Sequence, residues 1–296
     1  LTLEQVERLI RDLDVIAPVV GRHLDLSTRR PPPRPARKRG TDAVAFQGEH
    51  GAFSEKASRQ FFGDDVKASP TPSFREVFER VVSGECAYGI LPVENSLAGS
   101  IHQNYDLLVE FNAHIVGEIK LRVVHSLIAN RGTRLEDVKR IYAHPQAAAQ
   151  CEKFLRGHAA WAVLQVYDTA GSVKMIKEEK AFDAAAIASS EAAKRFDMEI
   201  LREGIESDPQ NYTRFIVIAK GASRRGGKMS LVYAVKNEPG SLYRTLDIFA
   251  RRGINLSKIE SRPIAGRPWE YLFYADLTSG LPEKKIQAAL RELRGC

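Results

Sequence analysis

Between residues 41 and 220 the chain alternates short apolar runs with segments whose apolar residues recur every three or four positions, and the switches fall at Gly, Pro, Asn, Asp or Ser. This alternation predicts strands and helices in turn, an α/β domain whose sheets are covered by their own connecting helices. Ala43-Val44-Ala45-Phe46 predicts the first strand, Gln47 to Gly51 a glycine-bearing turn, and residues from about Ala52 to Phe62 a helix. Helices are predicted over Ser73–Val82 and Ile101–Phe111, a buried strand at Tyr88–Leu91, and a long β-branched extended stretch over Ile115–Ala129. Further strands at Arg140–Tyr142 and Val163–Tyr167, with helices after Pro145 and Ala170, complete two lobes. Lobe one takes about 41–119 and 196–220 and lobe two about 120–195, the chain crossing near Lys120 and returning near Phe196.

Residues 228–296 follow another pattern. Leu231, Tyr233 and Val235 alternate as a strand, Pro239 suits a first helical position, and Leu242, Leu246, Phe249 and Ala250 predict one helical face. Asn255–Ser261 and the alternation Tyr271, Phe273, Ala275, Leu277 predict two strands, and Ile286, Leu290 and Leu293 a last helix. The order β-α-β-β-α is ferredoxin-like with the final strand apparently missing. Either a partner subunit completes that sheet or the sequence is truncated. Gly221–Gly227, with almost nothing apolar, is the expected domain boundary.

Charge excludes more than it proves. Residues 1–39 hold nine Arg or Lys against five Asp or Glu, so the remaining 257 residues carry only +3 of the +7. Arg29–Arg39 has no apolar face and predicts an extended, solvated linker, with no nucleic-acid partner. Ahead of it, Leu3, Val6, Ile10, Leu13 and Ala17 share a helical stripe that Pro18 stops, a docking or dimer-contact helix; residues 1–40 thus read as helix plus linker. No apolar run reaches the ~18 residues of a membrane span, and Leu1–Ile16 is not a secretory core, so no membrane partner is expected. Cys86, Cys151 and Cys296 lie far apart without paired spacing, and the seven histidines are scattered. A reducing, cytoplasmic setting and no metal are the expectation.

Asn211-Tyr212-Thr213-Arg214-Phe215 runs into the apolar strand Ile216–Ala219 and presents a hydroxyl and a guanidinium side by side. Gln47-Gly48-Glu49-His50-Gly51-Ala52-Phe53-Ser54, Pro92-Val93-Glu94-Asn95-Ser96 with Gly99-Ser100, His144-Pro145-Gln146 with Gln150-Cys151, and Asp168-Thr169-Ala170-Gly171 also fall at strand ends. Taken one at a time each has a plain structural reading: a turn needing positive φ, a cap at Asn95 or Asp168, a capping imidazole at His144. Four strand ends closing in amide or small side chains is the arrangement of a ligand crevice.

In this order the motifs resemble those of prephenate dehydratases, over nearly the whole of residues 42–220, and Pro239-Gly240-Ser241-Leu242 with Asn255–Pro263 resembles the family's C-terminal ACT domain. The resemblance implies a two-lobed, periplasmic-binding-protein-like catalytic domain at 41–220 and an ACT regulatory domain at 228–296. It implies decarboxylative dehydration of prephenate to phenylpyruvate, a carbon–oxygen lyase reaction with no cofactor, regulated by L-phenylalanine in a cytoplasmic homodimer or homotetramer. Thr213 would donate to the departing hydroxyl as acid or as the last donor of a water relay. Arg214 would hold a carboxylate, although on a strand it faces away from Thr213 and has bracing as its other reading. Asn95, Ser96, Gln150 and Thr169, with Ser54, His144 and Gln146, would contact or orient the substrate. Ala143 stands where family members often carry Ser. Gly240, Ser241, Leu242, Asn255, Glu260, Ser261 and Arg262 would bind phenylalanine, or else form an ordinary helix cap and exposed strand.

Two other functions share these features. Arogenate dehydratase differs only in an amino for a keto group, and Ala52–Ser54, Ile101–Asp106 and Gln150–Glu152 look like the plant-type branch in which arogenate users occur. A non-catalytic amino-acid sensor would have no evident use for Thr213-Arg214-Phe215. The opening helix is similar to that of the chorismate mutase domain fused ahead of some family members, but is too short to be a working mutase.

Overall fold

The structure is a computed structural model that describes residues 43–221, 228–264, 267–278 and 283–294, so the helix and linker expected in residues 1–40 lie outside the described residues. The α/β domain opens with β1 (Ala43–Gln47), α1 (Phe53–Phe62), β2 (Lys67–Thr71), α2 (Phe74–Ser83), β3 (Tyr88–Asn95), β4 (Gly99–Ser100), α3 (His102–Phe111) and β5 (His114–Arg122). It continues through β6 (Ser126–Ala129), β7 (Arg140–Ala143), α4 (Pro145–Gln150), α5 (Glu152–Arg156), β8 (Ala162–Gln165) and α6 (Thr169–Glu178). β9 (Ala184–Ala188), α7 (Ser190–Arg195), β10 (Glu199–Glu203) and β11 (Tyr212–Ala219) close it.

Two sheets result, one per lobe. The first has the order β2-β1-β3-β11-β5, with β4 beside β3; the second has the order β10-β6-β9-β7-β8. The predicted stretch Ile115–Ala129 is therefore two strands in different sheets, broken at residues 123–125. The return is also later than expected. Strand β10 pairs antiparallel with β6, so the chain leaves the second lobe after Glu203, not near Phe196. Two short crossovers, 123–125 and 204–211, join the lobes.

Local chemistry explains these elements. Helix α2 starts at Ser73, whose hydroxyl accepts from the Glu76 amide, and stops at left-handed Gly84 (φ 85°). Its Val77, Phe78 and Val81 are buried on the first sheet, each stabilising by about 1.5–3 kcal/mol. Strand β2 lies at the sheet's edge and contains Pro70, which only an edge tolerates readily. Strand β9, Ala-Ala-Ala-Ile-Ala, is central and wholly buried. Its alanines have low strand propensity, and burial between neighbours overrides it. Among the described residues no helix is long and apolar enough to cross a membrane.

The C-terminal domain consists of β12 (Lys228–Ala234), α8 (Ser241–Ala250), β13 (Asn255–Ile264), β14 (Arg267–Thr278) and α9 (Glu283–Leu293), the predicted order. Its sheet has the order β12-β14-β13 and is antiparallel. Pro239 precedes the helix: with Gly240 (φ 79°) it forms a turn closed by the Ser241 amide on the Glu238 carbonyl. The buried helix face is accordingly Thr245, Ile248 and Phe249, whereas Ala250 is exposed.

Gly89 in β3 marks where α2 lies closest to the sheet, for a Cβ there would sit 2.6 Å from a Val77 methyl and 3.0 Å from Ile218. Gly89→Ala is expected to lower the unfolding free energy by about 1–3 kcal/mol in urea denaturation; an unchanged midpoint would show that the helix stands further off.

Candidate active site

Thr213 and Asn95 are direct cross-strand partners in β11 and β3, and Arg214 and Glu94 are the next pair. Side chains alternate along a strand, so the first pair shares one face of the sheet and the second pair the other. The structure follows that parity. Asn95 Nδ2 donates to Thr213 Oγ1 at 3.0 Å, while the Arg214 guanidinium meets Glu118 and Glu94, each at 3.1 Å, and the Tyr105 hydroxyl at 3.0 Å. Arg214, expected to hold a carboxylate or to brace the backbone, thus has carboxylate and hydroxyl partners within the domain, on the face away from Thr213. It ties β11 to β3, α3 and β5 behind the site.

Asn95 is the hub of a buried carboxamide cluster. Its Oδ1 receives the Leu97 and Ala98 amides, both at 3.0 Å, and Gln150 Nε2 at 3.2 Å; its Nδ2 also donates to Asn211 Oδ1 at 2.7 Å and to the Tyr212 carbonyl at 3.2 Å. Gln150 Oε1 in turn receives Asn211 Nδ2 at 3.0 Å and faces His125 Nε2 at 2.8 Å. Asn95 and Thr213 belong to lobe one, Gln150 to lobe two, and His125 and Asn211 to the crossovers. The cluster therefore forms at the hinge. Thr213 is 8% exposed, its oxygen accepts from Asn95, and no acceptor for its hydrogen lies among the described residues.

The turn Gly48–Gly51 packs on lobe two. Asp168 caps α6 through the Gly171 amide (2.9 Å) and with the same oxygen accepts the Glu49 amide (3.2 Å). The Ser189 hydroxyl donates to the Gly51 carbonyl, and a Cβ on Gly51 (φ 92°) would lie 2.6 Å from Ala192 Cα. Glycine is needed there for both reasons. Glu55 fixes the turn from within by accepting the Gly51 amide at 2.7 Å.

The other expected residues divide. Ser54 is buried in the first turn of α1, a helix whose N-cap Ala52 has no capping side chain, and next to it the Phe53 ring meets the His125 ring edge-on at 5.5 Å. Gln146 is half-buried and its carboxamide bonds no other described residue. Thr169 opens α6 beside Asp168 and gives its carbonyl to the Ser172 hydroxyl. The Ser96 hydroxyl donates to the Gln210 carbonyl and accepts the Tyr212 amide, and His144 Nδ1 accepts the Gln146 amide as a helix cap. Burial pushes the Cys151 thiol up to about 12, which leaves it protonated and inert beside Gln150. Among the described residues no group of three or more His, Cys, Asp or Glu is arranged to hold a metal.

In the C-terminal domain Gly240, Ser241 and Leu242 begin α8, with the Ser241 hydroxyl held by Arg244 at 2.9 Å. Asn255 begins β13 and donates to Thr278 across the ladder; Glu260, Ser261 and Arg262 lie further along that strand, where Glu260 meets Lys258 at 3.2 Å.

The sequence assigns no role to His125 or Asn211, and Asp168, read there as a cap, caps α6 and in addition accepts the Glu49 amide. Asn211 opens the motif of residues 211–215, but nothing in a motif tells that its carboxamide is fully buried. His125 offered one signal, a lone imidazole amid the apolar Val123-Val124 and Leu127-Ile128.

The family model for prephenate dehydratase matches residues 44–223, and the model for the ACT domain matches residues 229–295. The chain is 43% identical over 263 residues to a protein of Arabidopsis thaliana named arogenate dehydratase/prephenate dehydratase 2, chloroplastic, covering 84% of this chain and 68% of that protein. A prephenate dehydratase of Arthrobacter aurescens solved in complex with L-Phe superposes with a TM-score of 0.77 at 30% identity, over 86% of each chain. A protein described as a novel type of quorum quenching acylase, GqqA, superposes at 0.76 with 34% identity, over 85% of this chain and 92% of its own. A shared fold hosts differently named activities, so chemistry has to be argued from the site.

Burial holds the His125 imidazole below its ordinary range, and burial does the same for His144. In the unfolded chain both take up protons below about pH 6.5, so the unfolded state binds more protons there and stability is lost as pH falls. Urea denaturation is expected to show the unfolding free energy declining from pH 7.5 to 5.5, and declining less steeply in His125→Gln. Parallel pH profiles for the two proteins would mean that His125 accepts a proton in the fold.

Proposed function

We propose, for a chain that belongs to the prephenate dehydratase family and carries a C-terminal ACT domain, that it converts prephenate into phenylpyruvate, water and carbon dioxide on the way to L-phenylalanine. The observation that carries this reading is the Thr213 hydroxyl, whose oxygen is occupied by Asn95 and whose hydrogen has no acceptor among the described residues. Such a hydroxyl is ready to donate to an alcohol on a bound ring. As the ring C–O bond breaks, the departing oxygen takes up a proton through Thr213 and leaves as water. The electron pair of the bond to the ring carboxylate becomes the last π bond of the aromatic ring, and carbon dioxide departs. One proton is consumed per turnover, and solvent restores it to Thr213.

Threonine has negligible acidity near neutral pH, so its contribution is placement and partial proton transfer as charge develops on the leaving oxygen. The substrate's two carboxylates need donors other than Arg214. The Ser54 hydroxyl with the uncapped amides that open α1, and the Gln146 carboxamide, are assigned that task. A cytosolic setting belongs to this reading, supported by Cys86 and Cys151 as buried free thiols.

Arogenate is the second substrate to consider, since the Arabidopsis relative is named for both activities. The two substrates differ in the side chain, away from the leaving hydroxyl, so both readings use Thr213 alike. Steady-state assays of the purified chain on each substrate decide between them. Thr213→Ala is expected to lower kcat roughly 100-fold or more with little change in KM, and Thr213→Ser to retain much of the activity. Unchanged turnover by Thr213→Ala would end the assignment.

L-Phenylalanine is proposed as the effector, acting at the ACT domain in an assembly of two or four copies. Gly240 lets the backbone approach a carboxylate, and Glu260 is the anion offered to the ammonium group. Calorimetric titration with L-phenylalanine is expected to give heat that Glu260→Ala abolishes or strongly weakens; no heat from the unaltered protein would confine the domain to assembly.

A further inference from the structure

The orientation of the cluster is fixed by backbone groups, which cannot turn over. Two amide N–H groups, of Leu97 and Ala98, fall on one end of the Asn95 carboxamide and a carbonyl, of Tyr212, on the other, so the first end must be oxygen and the second nitrogen. The constraint passes to Gln150. Its nitrogen faces Asn95 Oδ1, which leaves its oxygen toward His125 Nε2. His125 must therefore carry its hydrogen on Nε2, and its Nδ1 is buried with no partner. An unpaired buried nitrogen is costly to keep and asks for a reason.

His125 is also where the two crossovers meet. Its amide donates to the Glu206 carboxylate at 3.0 Å, and its carbonyl receives the Gly204 and Ile205 amides at 3.0 and 3.1 Å. Backbone bonds thus fix the residue to both hinge strands while its side chain, 2% exposed, points to the carboxamides behind Thr213.

We propose that His125 is a positioning residue of the reaction: its Nε2–H holds the Gln150 carboxamide, and through Gln150 and Asn211 holds Asn95, in the one orientation that turns the Thr213 hydrogen toward the substrate. The inference rests on Thr213 being the donor. With His125 removed, the Gln150 oxygen keeps only the Asn211 donor and the amide gains freedom to rotate. Asn95 keeps the end-for-end orientation set by its backbone partners but loses the firm hold of Gln150 on its oxygen, and the Thr213 hydroxyl beside it is less closely directed.

The test is a kinetic cycle with prephenate on the full chain: unaltered protein, His125→Leu, His125→Gln, Thr213→Ala, and Thr213→Ala with His125→Leu. His125→Leu is expected to lower kcat roughly 10- to 100-fold with KM changed less than about twofold. His125→Gln, whose Nε2 reaches the same place, is expected to recover most of the loss. In the Thr213→Ala background His125→Leu is expected to cost nothing further, because the group it positions is gone. If His125→Leu does not fold, His125→Gln against the shorter His125→Asn makes the same comparison. Equal loss in both backgrounds, no loss at all, or failure of Gln to restore more than Leu or Asn would overturn the proposal. Full activity in Thr213→Ala alone would instead overturn the role of Thr213, and with it the route through which His125 acts.

Discussion

The carboxamide of Asn95 has a single orientation available to it, and the site depends on that restriction. Two backbone donors and one backbone acceptor decide which end is oxygen, and the two hydrogens at the nitrogen end are shared among the Tyr212 carbonyl, Asn211 Oδ1 and Thr213 Oγ1. A hydroxyl that must accept on one side is left to donate on the other. The cluster is buried, where unmatched polar groups cost most, so its members hold one another to one pattern.

The fold supplies the place for this arrangement. Two sheets joined by two short crossovers bring a lobe-one strand pair, a lobe-two helix end and both hinge segments to one point. The turn Gly48–Gly51 lies on α6 and α7 through Asp168 and Ser189. Arg214 holds the strands together on the face opposite Thr213.

Much of this was legible in the residues. Strand β11 announced itself through its apolar run, and the motifs around Asn95, Gln150 and Thr213 do meet in the folded domain. Parity along β11 already gave Arg214 a bracing reading, and the ladder register places it beside Glu94 on the face away from Thr213. What stayed hidden had physical causes. Strand β9 is nearly all alanine, and β10 alternates too weakly to reveal that its partner is β6. The cap read at His144 is present, whereas the Ser96 hydroxyl bridges Gln210 and Tyr212 of a distant segment, a contact that no local spacing shows. His125 acts through a chain of amides from three separate segments, a relation that no local spacing encodes.

Neutron diffraction from crystals of the deuterium-exchanged protein locates the hydrogens of the cluster. Deuterium is predicted on Asn95 Nδ2 facing Thr213, on His125 Nε2 facing Gln150, and on Thr213 Oγ1 pointing away from Asn95 into the cleft. A Thr213 deuterium lying between Oγ1 and Asn95, with the carboxamide turned over, would contradict this arrangement.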